Sequence, residues 1–97
     1  MCADIIQWNC RGIKPNFEEI ELLINDFNPT LLCFQETFLK STDDISFNNF
    51  CLKNYICNSN GKASGGVSIL VKNSVPHSFI TLQTSLQAIA ISFTMHK

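Results

Sequence analysis

The chain has 97 residues, enough for one domain or for one piece of a domain. Hydrophobic residues make up 45% and charged residues 15%, which excludes a disordered chain and indicates a packed core. Seven Lys and Arg against eight Asp and Glu give no basic field of the kind that usually marks nucleic-acid binding. Any contact with nucleic acid is therefore expected to be local, or to be made by other parts of a larger protein.

The cysteines indicate a reducing environment. Five of them, an odd number without C-x-x-C spacing, argue against a disulfide framework and against a zinc site. Two, Cys10 and Cys33, are predicted to behave as small buried hydrophobic residues. No signal peptide or membrane-length apolar run is visible, so we expect a cytosolic or nuclear protein without a membrane partner.

The first part of the chain predicts a strand followed by a helix. Residues 4–8 have the β-branched and aromatic bias of a strand, and Gly12 then permits a turn. Asn16 with Glu19 three residues later predicts an N-cap in a capping box, and Asn28 before Pro29 predicts the end of the helix. The predicted apolar face consists of Phe17, Ile20, Leu23, Ile24 and Phe27.

A second strand follows over residues 30–34, and it ends in the Gln35-Glu36 pair. Its uninterrupted apolar run predicts a strand buried on both faces of a sheet. Strand, helix and strand within about thirty residues is the span of a βαβ unit, so the two strands are predicted to be parallel.

The rest of the chain predicts further strands. Residues 38–49 are expected to form a surface loop, residues 52–58 a short strand, residues 59–66 a turn and residues 67–71 a strand. Residues 79–82 and 88–93 predict two more strands, in antiparallel order. An edge left unpaired after the last strand would indicate an incomplete domain.

Candidate chemistry lies where the first two strands end. Parallel strands place their carboxyl ends at one edge of the sheet, where ligands bind, so Asn9 and Glu36 are expected to converge there. A carboxylate and an amide are a start for a divalent-metal site. From position alone, a purely structural role for Glu36 at the strand end remains equally open. The two histidines, His77 and His96, are expected to be exposed and uninvolved.

The glycine-rich segment needs a separate interpretation. Gly61-Lys62 and Ser64-Gly65-Gly66 suggest a phosphate-binding loop, but the order G-x-x-x-x-G-K-[ST] is absent. A turn that lets two backbones approach closely is the preferred interpretation.

These motifs together resemble a known family. Residues 5–12, the helix, and residues 28–37 are similar to the beginning of the endonuclease/exonuclease/phosphatase superfamily. More narrowly, Trp-Asn-Cys-Arg-Gly at 8–12, Gln-Glu-Thr at 35–37 and Gly-Gly-Val-Ser-Ile-Leu-Val at 65–71 resemble the endonuclease domain of jockey-like non-LTR retrotransposons. In that group the domain precedes a reverse transcriptase in one polyprotein.

The resemblance implies a fold, a reaction and roles for two residues. It implies that residues 1–97 are the N-terminal part of a four-layer α/β sandwich that hydrolyses DNA phosphodiester bonds with Mg²⁺ or Mn²⁺. Glu36 would be the metal ligand, and Asn9 would help to place the metal and the scissile phosphate. The implied partners are DNA, the remainder of the domain and the reverse transcriptase.

Two departures from the family limit this expectation. Arg11 stands where related abasic-site endonucleases have an Asp, and a guanidinium can contact a phosphate but cannot ligate a metal. The family's later Tyr, Asp-x-Asn and Asp-His motifs have no counterpart after the last predicted strand. We therefore expect an inactive fragment. A degenerate, non-catalytic remnant or truncated gene product remains an alternative, and another phosphodiesterase or phosphatase of the superfamily is a weaker one.

Overall fold

A computed structural model describes residues 4–59, 62–83 and 86–94 of the chain. The elements in chain order are β1 (Ile5–Asn9), α1 (Phe17–Phe27), β2 (Leu31–Gln35), β3 (Phe50–Tyr55), β4 (Asn58–Ser59), β5 (Lys62–Ala63), β6 (Val67–Lys72), β7 (His77–Ile80) and β8 (Ala90–Phe93). Among these residues no helix is both long enough and apolar enough to cross a membrane. The predicted α/β class, with a mixed sheet and a flanking helix, is confirmed.

The central sheet has four strands in the order β1-β2-β6-β3. Strands β1 and β2 are parallel, with Ile5 opposite Leu31 and Asn9 opposite Gln35, which confirms the predicted βαβ unit. Strand β6 pairs antiparallel with both β2 and β3, so it lies between two strands that precede it in the chain. Strand β2 thereby lies inside the sheet, and its burial on both faces, with Leu31 and Leu32 both buried, is as predicted.

Helix α1 ends as predicted but begins differently. Asn28 terminates it in the left-handed conformation, and its N–H donates to the Ile24 carbonyl at 2.8 Å. The predicted capping box is wrong, because the Asn16 side chain makes no cap hydrogen bond. Its Nδ2 donates instead to the carbonyl oxygens of Cys10, at 2.7 Å, and Gly12, at 3.0 Å. Asn16 thus ties the start of the helix to the turn after β1.

The two faces of the central sheet carry separate cores. The helix face, covered by α1, includes the rows that contain Leu32 and Phe34, and both side chains are fully buried. The hairpin face, covered by β7 and β8, includes Leu31, Ile69 and Val71. Strands β7 and β8 pair antiparallel, as predicted, and form a separate two-stranded sheet.

One expectation about apolar side chains is wrong, and a second one is incomplete. Phe27, assigned to the apolar face of α1, is 59% exposed because it is the last residue of the helix, whereas Ile20 in the middle is completely buried. The predicted surface loop over residues 38–49 also contributes to the core. Its Leu39 and Phe47 are buried, and Phe47 stacks on Phe17 with the ring centroids 4.7 Å apart.

The other predicted strands are present but differ from prediction at their ends, and a short strand pair was not predicted. Strand β3 begins at Phe50, two residues before the predicted start, and it pairs with β6 along its whole length. The predicted turn over 59–66 contains the short β4–β5 pairing, and residues 60 and 61 lie outside the described residues. All four cysteines within the described residues are free thiols, with Cys10 buried and Cys33 half-buried.

Candidate active site

The structure places Asn9 and Glu36 at the same edge of the sheet. Asn9 is the last residue of β1 and lies opposite Gln35, the last residue of β2, so Glu36 leaves the sheet at the same level. Asn9 is exposed and Glu36 is half-buried, which leaves both accessible from solvent. Their catalytic and metal-binding roles stay predictions.

A backbone ladder continues beyond the two strands. The Cys10 N–H donates to the Gln35 carbonyl at 3.1 Å, and the Gly12 N–H donates to the Glu36 carbonyl at 2.7 Å. The Ile13 N–H then donates to the Thr37 carbonyl at 3.0 Å. The segment that carries Glu36 is therefore fixed on one side by the turn that follows Asn9.

The backbone at this edge is strained. Arg11, Glu36 and Phe38 have φ values of 50°, 53° and 51°, in the left-handed region that costs about 1–2 kcal/mol for each residue with a Cβ. The other described non-glycine residues with positive φ are Asn28 and Asn49, a residue type that tolerates this conformation. Strain concentrated in residues that tolerate it poorly is typical of functional sites.

The glycine-rich turn packs against the Glu36 segment from the other side. The Thr37 N–H donates to the Gly66 carbonyl at 3.3 Å, and the Phe38 N–H donates to the Gly65 carbonyl at 2.9 Å. A Cβ on Gly66 would lie 2.6 Å from the Thr37 hydroxyl oxygen. The predicted close approach of two backbones is confirmed. The sequence did not reveal that the partner backbone is the one next to Glu36.

Thr37 is the most enclosed polar residue at the site. It is 1% exposed, and its hydroxyl finds no hydrogen-bond partner among the described residues. A buried hydroxyl without a hydrogen-bond partner costs about 1–3 kcal/mol. Sequence reasoning missed this residue, although it belongs to the Gln-Glu-Thr motif.

The negative charge of Glu36 affects the pKa of the Cys10 thiol, in the turn after β1. Burial raises the pKa of the Cys10 thiol, and the negative charge of Glu36 raises it further. The thiol points toward the carbonyl oxygens of Gln35 and Glu36, at 3.6 and 3.9 Å. Cys10 is thus a buried, protonated thiol beside the Glu36 segment. Its burial confirms the prediction that it behaves as a small buried hydrophobic residue.

The donor set for a metal is small. Among the described residues no group of three or more His, Cys, Asp or Glu side chains could hold a metal ion. Glu36 offers one carboxylate and Asn9 one amide oxygen at this edge. Mg²⁺ is commonly bound through one or two carboxylates, with waters and substrate phosphates as the other ligands. The chemistry of these two residues therefore fits one side of such a site.

The structure differs from the prediction that the histidines are exposed. His77 is half-buried and not exposed, because its ring lies edge-on to Phe79 with the centroids 5.5 Å apart. Its Nδ1 lies 2.7 Å from the Val75 carbonyl oxygen, so the ring is held at the start of β7. His96 lies outside the described residues.

Comparison with known proteins agrees with these observations. Residues 6–89 match the model of the Endonuclease/Exonuclease/phosphatase family. The chain is also 30% identical over 73 residues to the "Probable RNA-directed DNA polymerase from transposon X-element" of Drosophila melanogaster. That match covers 75% of this chain and 8% of the relative. No solved structure matches the chain significantly. The family match spans most of the sequence and includes both Asn9 and Glu36: the chain belongs to the endonuclease/exonuclease/phosphatase family.

Proposed function

We propose that the chain is the N-terminal part of a metal-dependent DNA endonuclease from a jockey-like non-LTR retrotransposon polyprotein. The complete domain would hydrolyse a phosphodiester bond and so nick its target DNA. The observation that carries this proposal is the family match over residues 6–89, which includes the shared edge of Asn9 and Glu36.

The transposon assignment is supported by sequence and by the relative. The Trp-Asn-Cys-Arg-Gly and Gln-Glu-Thr motifs resemble the retrotransposon endonucleases, and the Drosophila relative is named as a transposon polymerase. We therefore propose DNA, the remainder of the domain and a reverse transcriptase as partners, in the nucleus or cytoplasm. Lipid and inositol phosphate substrates are less well supported, because these motifs favour the transposon branch.

Each residue at the edge has a proposed role. The Glu36 carboxylate would be a ligand of Mg²⁺ or Mn²⁺, and the Asn9 amide would bind a phosphate oxygen or a metal-bound water. The exposed Arg11 would contact the DNA backbone as a fixed positive charge. When bound, the metal supplies charge stabilisation at the phosphate and lowers the pKa of a coordinated water.

The metal site can be tested by NMR on the 97-residue chain. Mn²⁺ titration should broaden the amide signals near Glu36 and Asn9, because a bound paramagnetic ion relaxes nearby nuclei. Glu36→Gln should abolish this broadening, since it removes the carboxylate. Glu18→Gln, a change at an exposed carboxylate in the first turn of α1, should leave the broadening intact.

The outcome separates the proposal from its main alternative. Local broadening that depends on Glu36 supports an endonuclease metal site. Broadening that is absent, or that persists in Glu36→Gln, contradicts it and favours a degenerate, non-catalytic remnant.

A second measurement tests activity. Incubation of the chain with supercoiled plasmid and Mg²⁺ should produce no nicking above background, because a single carboxylate does not complete the hydrolytic site. The Glu36→Gln variant serves as the matched negative control. Nicking that disappears in this variant would show that the chain is sufficient for catalysis and would overturn the proposed inactivity.

A further inference from the structure

The side chain of Gln87 bridges two parts of the molecule. Gln87 lies between β7 and β8, whereas its side-chain Oε1 accepts a hydrogen bond from the N–H of Gly66, directly before β6 of the central sheet, at 2.8 Å. Its Nε2 points toward the Cys57 sulfur at 3.5 Å. The contact is close, since a Cβ added to Gly65 would lie 2.8 Å from the same Oε1. The amide group of Gln87 therefore rests directly on the Gly65–Gly66 turn.

This turn needs an external contact to hold it. Gly65 and Gly66 have φ values of 60° and 92°, and two successive glycines have more backbone freedom than any other residue pair. Without Gln87 the Gly66 N–H would lose its side-chain acceptor. The hydrogen bond from the Gly66 N–H to Gln87 is therefore one of the contacts that limit the freedom of this turn.

The Gly65–Gly66 turn also holds the Glu36 segment. The carbonyl oxygens of Gly66 and Gly65 accept from the N–H groups of Thr37 and Phe38, the two residues after Glu36. Glu36 and Phe38 are both left-handed, a conformation that persists only where surrounding contacts impose it. A continuous set of hydrogen bonds thus leads from the Gln87 side chain to the backbone next to Glu36.

We propose that Gln87 is a positioning residue for Glu36. It fixes the Gly65–Gly66 turn and thereby the strained backbone from which the Glu36 carboxylate projects. Gln87 contacts neither metal nor DNA in this role. The purpose of the positioning rests on the proposed metal-binding function of Glu36, but the hydrogen-bonded connection itself does not.

The test combines amide exchange with metal titration on the 97-residue chain. Gln87→Leu removes the acceptor, and Gln87→Asn withdraws the amide by about one bond length of 1.5 Å. Both should accelerate hydrogen exchange at the Thr37 and Phe38 amides by about fivefold, since a lost hydrogen bond is worth on the order of 1 kcal/mol. Exchange at the Leu32 and Leu70 amides in the sheet should stay unchanged.

Two further variants serve as rescue and control. Gln87→Glu keeps an oxygen acceptor at the same reach, so it should restore protection of the Thr37 and Phe38 amides. Gln83→Leu changes an exposed glutamine in the same connection and should have no effect. Broadening by Mn²⁺ near Glu36 should weaken several-fold in Gln87→Leu and return in Gln87→Glu. A merely structural contribution would also accelerate exchange at the Leu32 and Leu70 amides.

Each result has a defined meaning. Unchanged protection at Thr37 and Phe38 in both Gln87→Leu and Gln87→Asn overturns the proposal, as does equal acceleration at Leu32 and Leu70. If one of these variants does not fold, the other provides the comparison; failure of both to fold while Gln87→Glu folds would show a global role and overturn it too. Loss of protection at the Thr37 and Phe38 amides that Gln87→Glu rescues would support the hydrogen-bonded connection. If Mn²⁺ broadens no signals near Glu36 in the unchanged protein or in any variant, the metal site is refuted.

Discussion

The two faces of the central sheet are covered to different extents. On β1, Ile6 and Trp8 belong to the helix face and pack against its core, whereas the alternate residue Ile5 is 57% exposed on the hairpin face. The helix that covers the first face connects β1 to β2 and lies across both strands. The β7–β8 hairpin packs over β2, β6 and β3 residues and leaves β1 open. Coverage by a short local connection is therefore more complete than coverage by a distant hairpin.

The largest expected difference between the faces comes from neighbouring leucines of β2. Leu32→Ala on the helix face should lower the free energy of unfolding by about 3–5 kcal/mol, because a fully enclosed site cannot collapse around the cavity. Leu31→Ala on the hairpin face should cost about 2–3 kcal/mol, since the open side beside β1 permits relaxation. Urea unfolding of both variants provides the measurement, and an equal or reversed order would contradict the comparison.

A smaller effect is expected at Asn16, which joins the helix to the turn after β1. Asn16→Ala should destabilise the protein by about 1–3 kcal/mol, because the buried Cys10 and Gly12 carbonyl oxygens lose their donor. Asn16→Asp distinguishes this role from capping. Aspartate is a good N-cap but cannot donate, so it should destabilise at least as much as alanine. If Asn16→Asp is as stable as the unchanged protein in thermal unfolding, capping is the better explanation.

The smallest effect concerns the loop that closes the helix face. The Lys40 N–H, at 2.8 Å, and the Lys14 ammonium, at 3.1 Å, hold the pKa of Asp43 below its ordinary value. A lowered folded-state pKa stabilises the protein above the unfolded-state pKa, and this contribution is lost as the pH falls through the folded value. Asp43→Asn should thus be slightly less stable at neutral pH.

The control for Asp43 is its exposed neighbour. Asp44→Asn should leave stability nearly unchanged at neutral pH. The difference between Asp43→Asn and the unchanged protein should shrink as the pH is lowered into the acid range, as followed by circular dichroism. A difference that grows on acidification would contradict the assigned direction of the pKa shift.

Sequence patterns predicted which helices and strands form better than they predicted how these elements pair and which contacts their side chains make. The 3–4 spacing of α1 and the apolar run of β2 identify helix and strand because periodicity depends on neighbours within a few residues. The insertion of β6 between β2 and β3 has no such local signal. Asn16 illustrates the same limit, since its spacing to Glu19 fits a capping box while the distant Cys10 carbonyl competes successfully for its side chain.

In the candidate site, too, one feature was predictable from the sequence and the long-range contacts were not. The edge shared by Asn9 and Glu36 follows from parallel pairing alone, so the sequence was sufficient to predict it. The left-handed backbone of Glu36 and the contact of Gln87 with Gly66 were not predictable. Both depend on contacts between segments that are distant in sequence: the Glu36 backbone contacts the Gly65–Gly66 turn, and that turn contacts Gln87.

The position of β6 also sets an order of assembly during synthesis. Strand β3 leaves the ribosome before β6, but in the described sheet β6 is the strand that pairs with it. At about 5–20 residues per second, β3 waits on the order of a second or more without its neighbour. The β1–β2 pairing also joins distant residues, with Ile5 opposite Leu31, but both of its strands leave the ribosome before β6 does. A nascent chain should therefore acquire the edge that bears Asn9 before the Glu36 segment gains its second support from the glycine turn.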